Sequence, residues 1–318
     1  MEMKHESVLL TEAVEGLDIK ENDVVVDGTI GGAGHFSHLL DALGPAGTLI
    51  GIDADSDAVE RAQKVVDSVK GGPKVHLVTN NFRNLGSVLS DLEIPHISKA
   101  LFDLGWSSFH LSRGRGFSFK ADEALLMTYG EPEAGKTAAD LINSATEEEL
   151  SEIIFTYGEE RFARAIAKGI VRSRKEKAIL TTFDLVAIIE ASVPGWYTHR
   201  RLHPATKTFQ ALRIAVNDEL GALREGLTTA MERLVPGGRI AVITFHSIED
   251  RIVKQMFRDA VYTKDGSLVN RKPIVPGDIE ARANPRARSG KLRIFERCIH
   301  SKKITMQEAR PLSYQTYV

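Results

Sequence analysis

Val24-Val25-Val26-Asp27-Gly28-Thr29-Ile30-Gly31-Gly32-Ala33-Gly34-His35 is the stretch on which the fold turns. Three β-branched residues read as a buried strand, and the carboxylate of Asp27 ends it. The glycines that follow let the backbone turn tightly and approach a ligand. Thr48-Leu49-Ile50-Gly51-Ile52 repeats the pattern and ends at Asp53, nineteen residues beyond Gly34. Helical spacing fills Phe36–Leu43 and the segment from Asp53 to Val66. Lys74–Val78 is a third predicted strand, and Lys99–Phe102, ending at Asp103, a fourth. Short apolar runs separated by helix-length segments make βαβ units, so the predicted class is α/β with a parallel sheet covered on both faces. Carboxylates at three strand ends mark the edge where open α/β sheets bind ligands.

The alternation resumes late. Asn217–Leu234 has helical spacing, Pro236-Gly237-Gly238 closes it, and Arg239–Phe245 is a fifth predicted strand. About 135 residues separate the fourth strand from the fifth, where a plain βαβ unit needs about 30. Some hundred residues are therefore inserted, and their pattern is helical. Thr146-Glu147-Glu148-Glu149 is a capping box before Leu150, Ile153 and Ile154. Phe162, Ile166, Ile170 and Val171 keep helical spacing, and Thr181 caps a helix carrying Leu185, Ile188 and Ile189.

Composition bounds the class. The chain has 318 residues, with 41 Lys+Arg against 43 Asp+Glu, and 42% hydrophobic and 26% charged residues, which are globular rather than disordered values. No apolar run approaches the roughly 18 residues of a membrane span, and no basic stretch followed by an apolar one marks a secretory signal. Cys298 is the single cysteine, which excludes an intrachain disulfide and a zinc site built on paired cysteines. A cytoplasmic protein is expected.

The glycine-rich turn suits two cofactors. A dinucleotide needs an anion site at the helix N-terminus, with a third glycine where this chain has Ser37. Asp27 also stands where its pyrophosphate would pass. S-adenosylmethionine carries no phosphate but does carry an ammonium, which a carboxylate attracts. Charge favours S-adenosylmethionine, with a dinucleotide-dependent oxidoreductase as the rival. Asp53 is placed to accept hydrogen bonds from ribose hydroxyls. A second motif, Gly130-Glu131-Pro132-Glu133-Ala134-Gly135-Lys136-Thr137, spells a phosphate-binding loop. Its two glutamates and its proline oppose that use, and it is read as an exposed turn. His246-Ser247-Ile248-Glu249-Asp250 contains Ser, His and Asp but lacks the G-x-S-x-G elbow. No H-E-x-x-H arrangement points to a metal.

Basic residues crowd three segments: Arg161 to Lys177, Arg200 to Lys207, and Arg282 to Arg297. In a net-acidic chain such local clusters are candidate phosphate contacts. Trp106, Phe109, Phe117 and Phe119 follow the fourth strand, where an aromatic ring can stack on a base.

Longer stretches resemble one family: His5-Glu6-Ser7-Val8-Leu9-Leu10, Val26–His35, Ile52-Asp53-Ala54-Asp55, Phe102-Asp103-Leu104-Gly105, Arg115–Phe119, Tyr157–Phe162, His203–Thr206, Thr208–Glu219, Phe245–Arg251 and Asn284–Ser289. They are similar to the bacterial 16S rRNA cytosine-N4 methyltransferases along nearly the whole chain. The resemblance implies a Rossmann-like, class I methyltransferase sheet interrupted by an all-helical insert. The expected division is a discontinuous S-adenosylmethionine-binding domain, 1–110 and 205–318, and a helical RNA-recognition insert, 111–204. The implied reaction carries a methyl group from S-adenosylmethionine to N4 of a cytidine in the decoding centre of the small ribosomal subunit. Cofactor-binding residues are expected at Asp27, Gly31, Ala33, Gly34, His35, Asp53, Phe82, Asp103 and His110. Asp103 and His246 are the expected catalytic residues, and Arg161, Arg164, Arg172, Arg174, Arg200 and Arg201 the expected RNA contacts.

The chain departs from the family in three places. Ala33-Gly34-His35 replaces Gly-Gly-His, a mild change where the local φ is negative. Phe109-His110 replaces Pro-Gln after Ser108. Leu125-Leu126-Met127-Thr128-Tyr129-Gly130 replaces Leu-Asp-Met-Arg-Met-Asp, losing two acids and an arginine. A catalytically altered or inactive ribosome-binding relative is the alternative that this last change raises.

Overall fold

A computed structural model describes residues 7–105, 114–131 and 136–299. Seven strands form one sheet in the order β3-β2-β1-β4-β5-β7-β6. Strands β1 (Val24–Asp27), β2 (Thr48–Asp53), β3 (Lys74–Thr79), β4 (Ile97–Asp103) and β5 (Leu234–Thr244) run parallel. Strand β7 (Lys291–Arg297) pairs antiparallel with β5 and with the short β6 (Gly266–Leu268). The parallel sheet and its first five strands match the sequence reading. The antiparallel pair at the far edge was not foreseen.

Strand order runs outward from β1 through β2 to β3, then restarts on its other side with β4. The crevice between β1 and β4 is therefore a topological switch point. Asp27, Asp53 and Asp103 end β1, β2 and β4 at this one edge.

Two apolar clusters cover the two faces. One packs Val26, Ile50, Phe102, Ile240 and Val242 under Leu223, Leu227, Val253 and Phe257. The other packs Val25, Leu49, Leu101, Ala241 and Ile243 under Leu17, Phe36 and Leu39. Adjacent residues of each strand face opposite clusters, as the twofold period of a strand demands. Helices α1 (Leu10–Leu17), α2 (Gly34–Ala42), α3 (Ser56–Ser68) and α4 (Leu85–Asp91) belong to this half of the chain.

A third cluster is mainly helical, with Phe117, Leu125, Met127 and Ile179 entering it from loops. It is built from α5 (Ala138–Ser144), α6 (Glu147–Gly158), α7 (Ala163–Arg174), α8 (Thr182–Ser192), α9 (Gly195–Thr198) and α10 (Ala205–Asn217). The Thr146 capping box forms as read, with Thr146 N–H donating to Glu149 Oε2 at 2.7 Å. Thr181 caps α8 through Asp184 N–H. The apparent phosphate loop ends in another cap: Thr137 begins α5 in a reciprocal box with Asp140. Its residues 132–135 lie outside the described residues. Ala205, Phe209 and Leu212 of α10 enter this helical core, beyond the boundary expected at 204.

The single helix expected over Asn217–Leu234 begins later. Asp218 adopts φ 45°, breaking the chain into α10 and α11 (Glu219–Arg233). Strand β5 in turn starts at Leu234 rather than Arg239, with a register shift opposite Ile97 and Lys99. Beyond it lie α12 (Ser247–Tyr262) and α13 (Asp278–Ala283).

Ala33 corrects one expectation. Its φ is +62°, in the left-handed region, where the family's glycine is free of strain. A left-handed alanine costs about 1–2 kcal/mol. Its methyl is buried in the sheet core, which returns about 0.8 kcal/mol. The terms nearly cancel, so Ala33→Gly should change unfolding free energy by less than about 1 kcal/mol. Urea denaturation measures this; a loss above about 2 kcal/mol would show the methyl to be a packing necessity.

Candidate functional site

One cavity of about 440 Å³ opens over the carboxyl edge of the sheet and reaches under α10 and the helical core. Its sheet side is lined by Gly28, Gly31, His35, Asp53, Phe82 and Asp103. The loop after β1 is clamped to the neighbouring strand ends by main-chain and side-chain bonds. Gly31 N–H donates to Asp53 Oδ2 at 2.8 Å, Thr29 N–H to Asp27 Oδ1 at 3.0 Å, and Asp103 N–H to Thr29 Oγ1 at 2.7 Å. Gly28 is required by proximity, since a Cβ there would lie 2.6 Å from the Phe102 ring. Phe82 packs edge-on against the same ring at 5.5 Å.

The expected cofactor residues separate into two groups. Gly31, His35, Asp53, Phe82 and Asp103 line the cavity. Asp27, fully buried, sits beneath the loop, and neither Ala33 nor Gly34 reaches the lining. Gly34 instead makes room for Ser7, whose Oγ would be 2.1 Å from an added Cβ. His110, Trp106 and Phe109 lie outside the described residues.

The acidic edge is electrostatically loaded. Burial pushes the Asp27 carboxyl up to about 7, against the opposing effect of its bond from Thr29. Burial likewise raises Asp53 to about 6, although the Asp55 and Gly31 N–H groups hold its charged form. His35 Nδ1 lies 3.4 Å from Asp103 Oδ2. Desolvation opposes charge on His35, but Asp103 and Asp27 outweigh it and raise its pKa. Asp27 Oδ2, Asp103 Oδ1 and His35 Nε2 are buried without hydrogen-bond partners among the described residues.

The opposite side of the cavity holds residues to which the sequence reading gave no role. Arg213 and Glu219 form a two-point pair, Nε to Oε1 at 2.7 Å and Nη2 to Oε2 at 2.9 Å. The Tyr129 hydroxyl donates to Glu219 Oε1 at 2.9 Å, and its ring stacks on Phe117. Asn217 ties this loop to α10, accepting from Tyr129 N–H and donating to the Met127 carbonyl. Arg115 grips the same loop through the carbonyls of Tyr129 and Gly130 at 3.0 and 2.6 Å. Arg213, Asn217, Glu219, His246 and Glu249 all line the cavity. The first three fall inside the long Thr208–Glu219 stretch and the last two inside Phe245–Arg251; of the five only His246, an expected catalytic residue, had been given a role.

His246 caps α12. Its Nδ1 accepts Glu249 N–H at 3.3 Å, and its Nε2 lies 3.1 Å from Glu249 Oε1. Glu249 is buried, yet His246 and Arg213 hold its carboxyl below the usual range. Its neighbours face elsewhere: Ser247 donates to Glu159, and Asp250 pairs with Arg293 and Lys291. The Ser, His and Asp of this stretch therefore make no nucleophilic triad.

The expected RNA-contacting arginines scatter over the helical surface. Arg161, Arg164, Arg172, Arg200 and Arg201 are exposed, whereas Arg174 is half-buried and donates to the Ile142 carbonyl. Arg161 lies over the Phe162 ring and over exposed Trp196, and Arg200 over Tyr197. In the third basic segment Arg293, Lys291, Arg288 and Arg297 are bonded to Asp250 or to backbone carbonyls.

A carboxyl raised in the folded state favours folding while protonated and opposes it once ionised. The contribution of Asp27 is thus present below its ordinary pKa near 3.8 and is lost as pH rises through about 7. Asn keeps the bond from Thr29 and removes the ionisation. Asp27→Asn should therefore raise the melting temperature of the ligand-free protein by several degrees at pH 8 and by clearly less at pH 5. Equal effects at both pH values would contradict the assignment.

Comparison with known proteins covers most of the chain. A profile of the MraW methylase family matches residues 2–298. The chain is 44% identical over 313 residues to the ribosomal RNA small subunit methyltransferase H of Lachnospira eligens, covering 93% of this chain and 98% of that protein. It is 44% identical over 310 residues to the protein of that name from Syntrophotalea carbinolica, covering 92% and 98%. Against its namesake from Persephonella marina it is 43% identical over 295 residues, covering 93% and 99%. The chain belongs to the MraW methylase family.

Proposed function

We propose that the protein is an S-adenosylmethionine-dependent methyltransferase of small-subunit ribosomal RNA, acting on the N4 amine of a cytidine. One observation carries this reading: a single cavity joins the acidic strand edge to a buried polar tier, so donor and acceptor have adjoining places. The buried Asp103 Oδ1, unpartnered among the described residues and on a residue lining the cavity, suits a cofactor that brings positive charge. Asp53 and Asp103 on the same wall oppose a dinucleotide, whose pyrophosphate would meet both carboxylates.

In this reading Asp53, held open by two backbone N–H groups, accepts the ribose hydroxyls, and Phe82 lies beside the adenine. Asp103, backed by His35, receives the amino-acid end or the reacting amine. Bound S-adenosylmethionine supplies a methyl group on a sulfonium. The cytidine amine is a poor nucleophile because its lone pair is delocalised into the ring. The protein's part is therefore to hold that amine in line and to surround it with fixed acceptors. The aromatic walls Phe117, Phe119, Phe209 and Tyr129 flank the cavity and exclude water from it. A base must leave its stack to enter.

The helical segment 111–204 is the proposed RNA-facing unit, with Arg161, Arg164, Arg172, Arg200 and Arg201 on phosphates. Arg174 is the weaker member, since its Nη1 is already engaged. On this reading the protein works beside ribosomes, in the cytoplasm.

Small subunits lacking the modification, incubated with methyl-labelled S-adenosylmethionine and digested to nucleosides, should yield labelled N4-methylcytidine. Label in another nucleoside, or none, would overturn the reading; cofactor binding without transfer would mark an idle relative. Reversing charge at Arg200 and Arg201 should weaken RNA binding and lower its salt slope by about two or more, with cofactor affinity unchanged. An unaltered slope would remove both residues from the interface.

A further inference from the structure

The polar tier facing the strand edge is built to fixed dimensions. Arg213 lies in the last turns of α10 and Glu219 opens α11, and the left-handed Asp218 between them folds one back on the other. The side chains of Arg213, Glu219 and Glu249 are only 11%, 9% and 3% exposed. One carboxylate oxygen each of Glu219 and Glu249 and a ring nitrogen of His246 lie within 4.8 Å of one another.

Donors and acceptors in this tier are unevenly spent. Glu249 Oε2 accepts Phe245 N–H and His246 N–H, and its Oε1 faces the His246 ring. Glu219 Oε1 accepts both Arg213 Nε and the Tyr129 hydroxyl. Glu219 Oε2 accepts Arg213 Nη2 alone, so it keeps a lone pair. Arg213 Nη1 forms no hydrogen bond with any described residue. The tier therefore offers one anionic acceptor beside one cationic donor, both on groups that line the cavity.

We propose that Glu219 and Arg213 select the amino-bearing edge of the target base, with Tyr129 as the positioning residue that orients the Glu219 carboxylate. The inference rests on the methyltransferase reading above and adds the base-selecting residues. A base with an exocyclic amine beside an unprotonated ring nitrogen presents a donor next to an acceptor, the complement of this pair. Uracil presents the reverse order. Its carbonyl would face the carboxylate and its N–H the guanidinium, leaving buried groups unpaired. Tyr129 belongs to the loop in which this chain departs from its family, so the lost acidic and arginine side chains do not empty the tier.

Small subunits with cytidine at the target position serve as methyl acceptors, and subunits with uridine there, which have no exocyclic amine to methylate, serve as competitive inhibitors, for the wild type, Glu219→Gln and Tyr129→Phe. For the wild type the inhibition constant of uridine subunits should exceed the dissociation constant of cytidine subunits by about tenfold or more, a preference in binding. Glu219→Gln should lose most of that preference and at least about a hundredfold in kcat, with cofactor affinity within twofold. Tyr129→Phe should lose part of the preference, because Arg213 still holds the carboxylate. Removing a partner of a buried ion pair threatens folding, so if Glu219→Gln fails to bind cofactor, Tyr129→Phe decides. A wild-type cytidine preference in every variant that binds cofactor would overturn the inference. Absence of methyl transfer to any cytidine by the wild type would instead overturn the methyltransferase reading.

Discussion

The buried pair between Arg213 and Glu219 joins two otherwise separate cores. Arg213 extends from a helix whose apolar face, Ala205, Phe209 and Leu212, belongs to the helical cluster. Glu219 begins a helix whose apolar face, Leu223, Leu227 and Ala230, belongs to the sheet. Losing one partner of such a pair costs about 3–5 kcal/mol because the other charge is left buried and alone. Desolvation opposes charge on Arg213, yet Glu219 and its surroundings raise its pKa above the ordinary value. Asn217 and Tyr129 attach the incoming loop to the same junction. A second contact across the two halves comes from Glu159, which accepts from Ser247 and pairs with Arg251 at 2.8 Å. The cavity exists because these ties hold the helical core over the carboxyl edge of the sheet.

Charge is distributed unequally around that cavity. At the strand edge three carboxylates stand near one histidine, with Asp27 Oδ2 and Asp103 Oδ1 unpartnered among the described residues. Across from it every carboxylate is paired or capped. Pairing on one side fixes geometry, while deficit on the other leaves work for a cationic ligand to do. This asymmetry is the physical basis for assigning the cofactor to the strand edge and the base to the helical side.

The sheet was legible in the sequence because parallel strands are buried on both faces and read as β-branched runs, as in Val24–Val26 and Leu49–Ile52. The strand-end aspartates and the glycine loop identified one side of the site for the same local reasons. Strands β6 and β7 escaped because Gly266–Leu268 is only three residues long. Lys291–Arg297 alternates charge with bulk as one strand among many basic residues. Tyr129, Arg213, Glu219 and Glu249 escaped because their chemistry is made by packing. Tyr129 and Glu219 are 90 positions apart, and no periodicity joins them. The sign of φ at Ala33 was equally invisible, since a strained alanine and an ordinary one share a letter.

The most direct measurement is a crystal structure with S-adenosylhomocysteine and a cytidine-bearing oligonucleotide bound together. The account predicts the ribose hydroxyls on Asp53, and the base amine within hydrogen-bonding distance of Glu219 in the same cavity. A cofactor bound away from the strand edge, or a base held elsewhere with the tier unchanged, would contradict it.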